Sequence, residues 1–183
     1  EICEAYGLQP SYIDVEWVLG TNFADTFIGN GAANVLNGAG GGDIIQGWTL
    51  DDVLYGAGGA DTLDGGSGRD ILTGGTEADT FVLAHQAHSV AGALCDVVAD
   101  FNQAQLDKID VSLVDAMANT LDNNAFTQFL GTGAFTAEGQ IRVFQSGAST
   151  VVEVNTTGAA GAEMHIVLAN VTATNLDLGD FIA

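Results

Sequence analysis

Residues 38–64 read Gly-Ala-Gly-Gly-Gly-Asp-Ile-Ile-Gln, then Gly-Trp-Thr-Leu-Asp-Asp-Val-Leu-Tyr, then Gly-Ala-Gly-Gly-Ala-Asp-Thr-Leu-Asp. Each nine-residue unit opens on glycine, carries aspartate sixth and an apolar residue eighth. Outward from this stretch the period runs unbroken from Gly20 to Val82. Glycine stands at Gly20, Gly29, Gly38, Gly47, Gly56, Gly65 and Gly74. Five residues on stand Asp25, Asn34, Asp43, Asp52, Asp61, Asp70 and Asp79, and two further on Phe27, Leu36, Ile45, Leu54, Leu63, Leu72 and Phe81. Three columns in register over seven units make a repeat, the sequence signature of a solenoid.

One unit shows how it folds. Gly-Ala-Gly-Gly-Ala-Asp (56–61) is a turn whose glycines permit positive φ and leave backbone carbonyls exposed. Thr62-Leu63-Asp64 then makes a short strand with one apolar side chain facing inward. A single unit buries too little to fold alone. Two units form one coil of 18 residues, and stacked coils join the apolar column into a core. Turns of alternate units lie above one another on one edge, so each aspartate faces the carbonyl-rich turn of the next coil. Carboxylate and carbonyl oxygens without Cys or His form a hard-oxygen site suited to Ca²⁺. A metal-free solenoid, as in an ice-binding or adhesive stack, needs no acidic column.

Charge points the same way. The 183 residues hold 24 Asp and Glu against Arg69, Lys108 and Arg142, a net charge of −21. Three cations cannot form a phosphate-binding surface, which excludes nucleic acid as a partner, and docking on an anionic membrane is equally disfavoured. No apolar run is long enough to span a bilayer, so no membrane insertion is expected. Such an excess of carboxylates destabilises a compact state by self-repulsion unless cations neutralise it.

The pattern resembles the Gly-Gly-X-Gly-X-Asp-X-apolar-X nonapeptide of RTX (repeats-in-toxin) proteins. That resemblance implies an all-β chain: a right-handed parallel β-roll continued by an antiparallel β-sheet C-terminal region. In that family each ion lies between the turns of units n and n+2, held by both aspartates and by turn carbonyls. Carried over, one site uses Ala39, Gly41 and Asp43 with Gly56, Gly58 and Asp61. The next uses Ala57, Gly59 and Asp61 with Gly74, Thr76 and Asp79. On the opposite edge Trp48, Leu50 and Asp52 meet Gly65, Ser67 and Asp70, and a fourth set is Thr21, Phe23 and Asp25 with Gly38, Gly40 and Asp43. Asn34 weakens a fifth site with Asp52, Leu50 strains its turn, and the first unit, Gly20 to Asp25, resembles a cap more than a site. The implied cofactor is thus Ca²⁺, three to five ions, and five would bring the net charge to about −11.

Residues 1–19 read as a capping strand or the remnant of an upstream region, 20–82 as the seven-unit roll, and 83–183 as a C-terminal β region. Alternation there predicts strands at 94–101, 140–145, 150–155 and 164–168, turns at 146–148 and 157–161, and a helical turn at 115–119. Asp96-Val-Val-Ala-Asp-Phe101, Asp107-Lys-Ile-Asp-Val-Ser-Leu113, Phe129-Leu-Gly-Thr-Gly-Ala-Phe135, Gly139-Gln-Ile-Arg142 and the ending Gly179-Asp-Phe-Ile-Ala183 resemble the serralysin-type C-terminal domain. Loop 156–163 has no Asp, so no ion is expected there. The ending also resembles the uncleaved signal of type I (ABC-transporter) export, which agrees with an opening, Glu-Ile-Cys-Glu, that lacks a Sec-type leader.

Catalytic chemistry is thin. His85 and His88 lack a third ligand, no His-Glu-x-x-His occurs, and Ser89, Ser112 and Ser149 have no nucleophile context. No catalytic residue is expected. Cys3 and Cys95 are two thiols whose pairing their spacing does not decide. The expected function is a non-enzymatic, secreted, calcium-binding folding and export module of an extracellular Gram-negative protein. Its expected partners are the type I secretion apparatus and an upstream catalytic or adhesive domain. The alternatives are a glycan-binding R-module like those of alginate epimerases, with a neutral glycan as ligand, and a surface-layer or adhesin module.

Overall fold

The computed structural model describes residues 16–83, 95–114, 126, 128–156 and 164–182. Its strands are β1 (Trp17–Leu19), β2 (Thr26–Ile28), β3 (Val35–Asn37), β4 (Ile44–Gln46), β5 (Val53–Gly58), β6 (Thr62–Asp64), β7 (Ile71–Thr76) and β8 (Thr80–Val82). They continue as β9 (Asp96–Val98), β10 (Lys108–Asp110), β11 (Gln128–Phe129), β12 (Gln140–Ser146), β13 (Ser149–Asn155), β14 (Met164–Leu168) and β15 (Phe181–Ile182). The strands are short because each unit spends its remaining residues on the turn.

Two sheets result. Sheet one has the order β1-β3-β5-β7-β9-β14-β13-β12-β11, and sheet two β15-β10-β8-β6-β4-β2. Successive strands alternate between the sheets, and partners within a sheet lie one 18-residue coil apart, all parallel through the repeats. The eighth-position column therefore becomes two facing ladders. Val18, Leu36, Leu54 and Leu72 stack in sheet one, and Phe27, Ile45, Leu63 and Phe81 in sheet two. None of these side chains is more than 3% exposed. Each coil adds one residue from each sheet to the core, so burial grows with the stack.

The roll runs past both ends of the repeat. Trp17–Leu19 does not lie across the open end as a cover. It is the first parallel strand of sheet one, and Val18 sits in the apolar column nine residues before Phe27. Beyond Val82, β9 pairs with β7 and β10 with β8, both parallel. Sheet one then turns antiparallel: β14 joins β9, and β13 and β12 follow, with Gly147 (φ +62) in the tight turn between them. Sheet two ends on β15, where Phe181 pairs with Ile109. Of the expected strands, 140–145, 150–155 and 164–168 appear within a residue of their bounds, whereas 94–101 shortens to Asp96–Val98. The helical turn at 115–119 and the turn at 157–161 lie outside the described residues, as do Cys3, His85, His88 and Ser89. Cys95 is a buried free thiol. No helix of the described residues is long and apolar enough to cross a membrane.

A core residue and its outward neighbour should differ sharply. Leu63→Ala removes a wholly buried side chain from the middle of the column, at an expected cost of about 3 kcal/mol. Ile44→Ala, at a site 55% exposed, should cost less than about 0.5 kcal/mol. Equal denaturation midpoints at saturating Ca²⁺ would contradict the inward and outward assignment.

Candidate metal centre

The turns build the site. In units three to seven the second and fourth residues have positive φ: Ala39 (+74°) and Gly41 (+107°), Trp48 (+89°) and Leu50 (+70°), Ala57 (+78°) and Gly59 (+119°), Gly66 and Gly68, Gly75 and Glu77. Left-handed backbone costs an L-residue roughly 1–2 kcal/mol, so a non-glycine held there needs compensation from its surroundings. Neighbouring turns are tied by backbone bonds: Gly58 N donates to Ala39 O, Gly41 N to Gly58 O, Ser67 N to Trp48 O, and Gly59 N to Thr76 O.

The aspartates form a second ladder. Asp43 N donates to Asp61 Oδ1 at 2.7 Å and Asp61 N to Asp79 Oδ1 at 3.0 Å. On the other edge Asp52 N donates to Asp70 Oδ1 at 2.8 Å. One carboxylate oxygen thus holds the backbone of the coil before. The other has no such use. Oδ2 of Asp43, Asp52, Asp61, Asp70 and Asp79 is buried without a hydrogen-bond partner.

Each orphan oxygen sits where a glycine leaves room for it. A Cβ built on Gly38 would lie 2.0 Å from Asp43 Oδ2 and 3.0 Å from Gly56 O. A Cβ on Gly56 would lie 2.2 Å from Asp61 Oδ2 and 2.6 Å from Gly74 O. The same holds at Gly47 for Asp52 Oδ2 and Gly65 O. The first-position glycines are therefore required sterically: carboxylate and carbonyl oxygens converge on them, and no donor intervenes. A buried anion facing carbonyls is strongly unfavourable unless a cation joins them. The donors are all hard oxygens, at most a few carboxylates at a time. Among the described residues no cluster of three or more His, Cys, Asp or Glu stands as a metal site by itself. That set fits Ca²⁺, which takes carboxylate and backbone carbonyl oxygens in flexible geometry.

The structure separates the sequence-derived sets. It brings Asp43 with Gly56, Asp52 with Gly65 and Asp61 with Gly74 at common points, with Ala39, Gly41, Gly58, Trp48, Leu50, Ser67, Ala57, Gly59 and Thr76 in the turns around them. The fourth set differs. Asp25 Oδ2 accepts from Thr21 N (2.7 Å) and Thr21 Oγ1 (2.9 Å), so the first turn closes on itself, and Phe23 is 78% exposed. Gly38 O still approaches this oxygen at Gly20, and Thr21 O accepts from Gly40 N. Likewise Asn34 Oδ1 accepts from Asn30 N at 2.9 Å, which closes the second turn.

Sequence reasoning missed the far end of both ladders. Asp70 N donates to Asp96 Oδ1 (3.0 Å) and Asp79 N to Asp107 Oδ1 (3.1 Å). Asp100 accepts from Gly74 N and Gly75 N at 2.9 Å each, and Gln105 Nε2 donates to Gly75 O. A signal was present: Asp96-Val97-Val98 and Asp107-Lys108-Ile109 repeat the Asp-X-apolar triplet of the units. Insertions put them 26 and 28 residues after their partners instead of 18, which hides them from a period count.

Burial raises these carboxyls from their ordinary 3.8, to about 7 for Asp43, Asp52 and Asp79 and to about 6 for Asp70. It raises Asp61 and Asp107 as well. The donated backbone N–H opposes the shift in each, and neighbouring carboxylates, such as Asp107 and Asp100 beside Asp79, add to it. A carboxyl whose folded pKa exceeds its unfolded value favours the fold while protonated. That stability is full below about pH 4 and is lost as pH rises toward 7. The chain stripped of metal should therefore gain β-structure on acidification from neutral pH to about 4. With calcium the proton competes for the same oxygen, so the Ca²⁺ midpoint should rise over that window. Circular dichroism of dialysed protein, with and without Ca²⁺, reads both; flat responses would discount the buried oxygens.

Comparison with known proteins agrees with this chemistry. The family model of the RTX calcium-binding nonapeptide repeat matches residues 19–54 and 49–81, with four copies. The solution structure of the AlgE6R2 subunit of the Azotobacter vinelandii mannuronan C5-epimerase is 30% identical over 90% of this chain and 90% of that one, with TM-score 0.48. The AlgE6R3 subunit of the same enzyme is 29% identical over 90% of this chain and 80% of that one, with TM-score 0.47. Comparison with curated proteins gave no match. With its nonapeptide columns, parallel roll and matching repeats, the chain belongs to the RTX calcium-binding repeat proteins.

Proposed function

We propose that the chain is a calcium-driven folding module of a secreted protein, and that five ions complete its roll. The observation that carries this is the set of five buried carboxylate oxygens without a donor. Three of them, on Asp43, Asp52 and Asp61, face the next turn within the repeats, at Gly56, Gly65 and Gly74. The other two, on Asp70 and Asp79, sit against Gly65 and Gly74, in units whose backbone N–H groups donate to Asp96, Asp100 and Asp107. The self-closed turns of Asp25 and Asn34 take no ion in this reading.

The role follows from linkage. Without a divalent cation, five ionised buried carboxylates oppose stacking, so the glycine-rich units stay open where Ca²⁺ is scarce. Bound Ca²⁺ supplies the positive charge that the turns lack, and binding free energy becomes folding free energy. A chain that folds only outside the cell suits export as an unfolded polypeptide through a type I transporter, ahead of a Ca²⁺-rich exterior. The upstream catalytic or adhesive domain is then carried by this module.

A second reading, a glycan-binding module, is supported by the likeness to epimerase subunits at 30% identity. The charge distribution favours a neutral glycan. Of the three basic side chains, Lys108 donates to Gly179 O at 2.5 Å and Arg142 is paired with Glu153, which leaves little for a polyanion.

Excess EGTA should remove most β-structure reversibly; circular dichroism that ignores the chelator would reject the folding role. Asp61→Asn should raise the Ca²⁺ midpoint several-fold, since an amide Nδ2 at the orphan position repels a cation. Asp25→Asn should change it little, because that oxygen already has two donors. Equal midpoints would place the controlling sites elsewhere. Deleting the last dozen or so residues should block type I export, and normal secretion of that truncation would reject the route.

A further inference from the structure

Across the antiparallel strands β12, β13 and β14, register sets three ionisable residues directly opposite one another: Arg142, Glu153 and His165. Their neighbours along each strand, among them Val143, Val152 and Ile166, fill the core, so this row lies on the other face of the sheet. Glu153, the middle member, is only 6% exposed. Its Oε2 accepts from Arg142 Nε, and its Oε1 lies 2.8 Å from His165 Nε2. A carboxylate so enclosed is held by its partners and does not turn out to water.

Arg142 is fixed a second time. Its guanidinium lies over the Phe135 ring, 4.5 Å from the centroid. Nε is spent on Glu153, while the two terminal amino groups have no protein partner among the described residues. The N–H donors of a rigid fork are thus held in place and unused. Arg142 and Glu153 line a recess of about 290 Å³ together with Thr132, Val143 and Phe144. Gly131, at φ +55°, turns the loop that carries Thr132, and its carbonyl accepts from Val143 N at 2.8 Å. That bond ties the loop to β12, so the recess is formed before any ligand arrives. Its volume lies near the lower limit of small-molecule sites, ~300 Å³, room for one ring and not for a whole chain.

Donor fork and carboxylate stand side by side, and this decides the charge of the ligand. An anion on the fork meets Glu153, and a cation on Glu153 meets Arg142. In a chain of net charge −21 an anion is repelled further. Two neighbouring hydroxyls satisfy both groups, since each can accept from an N–H and donate to an oxygen. Phe144 adds an apolar wall and Thr132 a further hydroxyl. We propose that this recess binds one residue of a neutral sugar through two adjacent hydroxyls, with Arg142 donating and Glu153 accepting. The proposal rests on the glycan reading and gives it a place, on strands that carry none of the calcium turns.

The test uses the full chain at saturating Ca²⁺, with circular dichroism confirming the fold of every variant. Methyl α-mannoside, methyl β-galactoside and methyl β-glucoside are each titrated to tens of millimolar. At least one should shift the NMR signals of Arg142 Nε–H, Thr132 and Phe144, with the millimolar affinity of a ligand this small. Its fully O-methylated form, which cannot donate to Glu153, should not. Arg142→Lys keeps the charge but loses the fork, and should weaken binding at least tenfold. Phe144→Ala leaves the ion pair untouched and should weaken it severalfold. Glucuronate, at fixed free Ca²⁺, should bind severalfold more weakly than the glucoside. No shift of these signals by any glycoside, glucuronate binding as tightly as glucoside, or full affinity in Arg142→Lys would each overturn the proposal. Shifts elsewhere that ignore both variants would reject this recess and leave the glycan reading standing. No shift with the glycosides or with dextran, a neutral polysaccharide, would reject both.

Discussion

Five carboxylate oxygens buried without a hydrogen-bond donor are the constraint around which this molecule is arranged. Each belongs to an aspartate whose other oxygen already accepts a backbone N–H from the preceding coil. The ladder that holds the coils in register therefore also fixes the anions in place. They cannot turn away to find water without releasing the coil behind them. Glycine at each first position follows from the same crowding, because a Cβ there would overlap the oxygen. Charge, register and glycine content are thus one requirement seen from three sides.

The two ends meet that requirement differently from the middle. At the start, Thr21 and Asn30 supply donors from within their own turns, so the first coil closes with protein groups. At the far end the columns pass to Asp96, the first residue of β9, and Asp107, directly before β10, both outside the repeat, while Asp100 clamps the last turn. The antiparallel strands β12–β14 then extend sheet one and bury Val143, Val152 and Ile166 in a continuation of the same core. Neither end presents the bare stack of turns that the interior repeats.

Much of this was legible because the repeat writes it three times over. Glycine, aspartate and apolar columns each predict the turn, the ligand and the core, and the strands of 20–82 follow at once. What escaped did so for physical reasons. Val18 occupies the apolar column without the glycine or aspartate of a full unit, since a first coil needs a core residue but no ion. Asp96 and Asp107 keep their triplets but lose the period to insertions, and spatial register survives a longer loop that sequence register does not. The first unit already resembled a cap, but its column letter, Asp25, is the same as in the others; the donor that closes its turn is the threonine at the second position.

The alternation of strands between two sheets sets the unit in which such a module can change length. An insertion of one nonapeptide would transfer every later strand to the opposite sheet. Val53 and Ile71 would then stand where threonines stand, and Asp96 and Asp107 would exchange edges. An insertion of 18 residues leaves both faces and both ends intact and adds one turn to each edge. The grain of variation in this architecture is thus the whole coil, although the sequence is written in halves of it. Lengthening by coils lets an ancestral stack acquire capacity for cations without redesigning its termini.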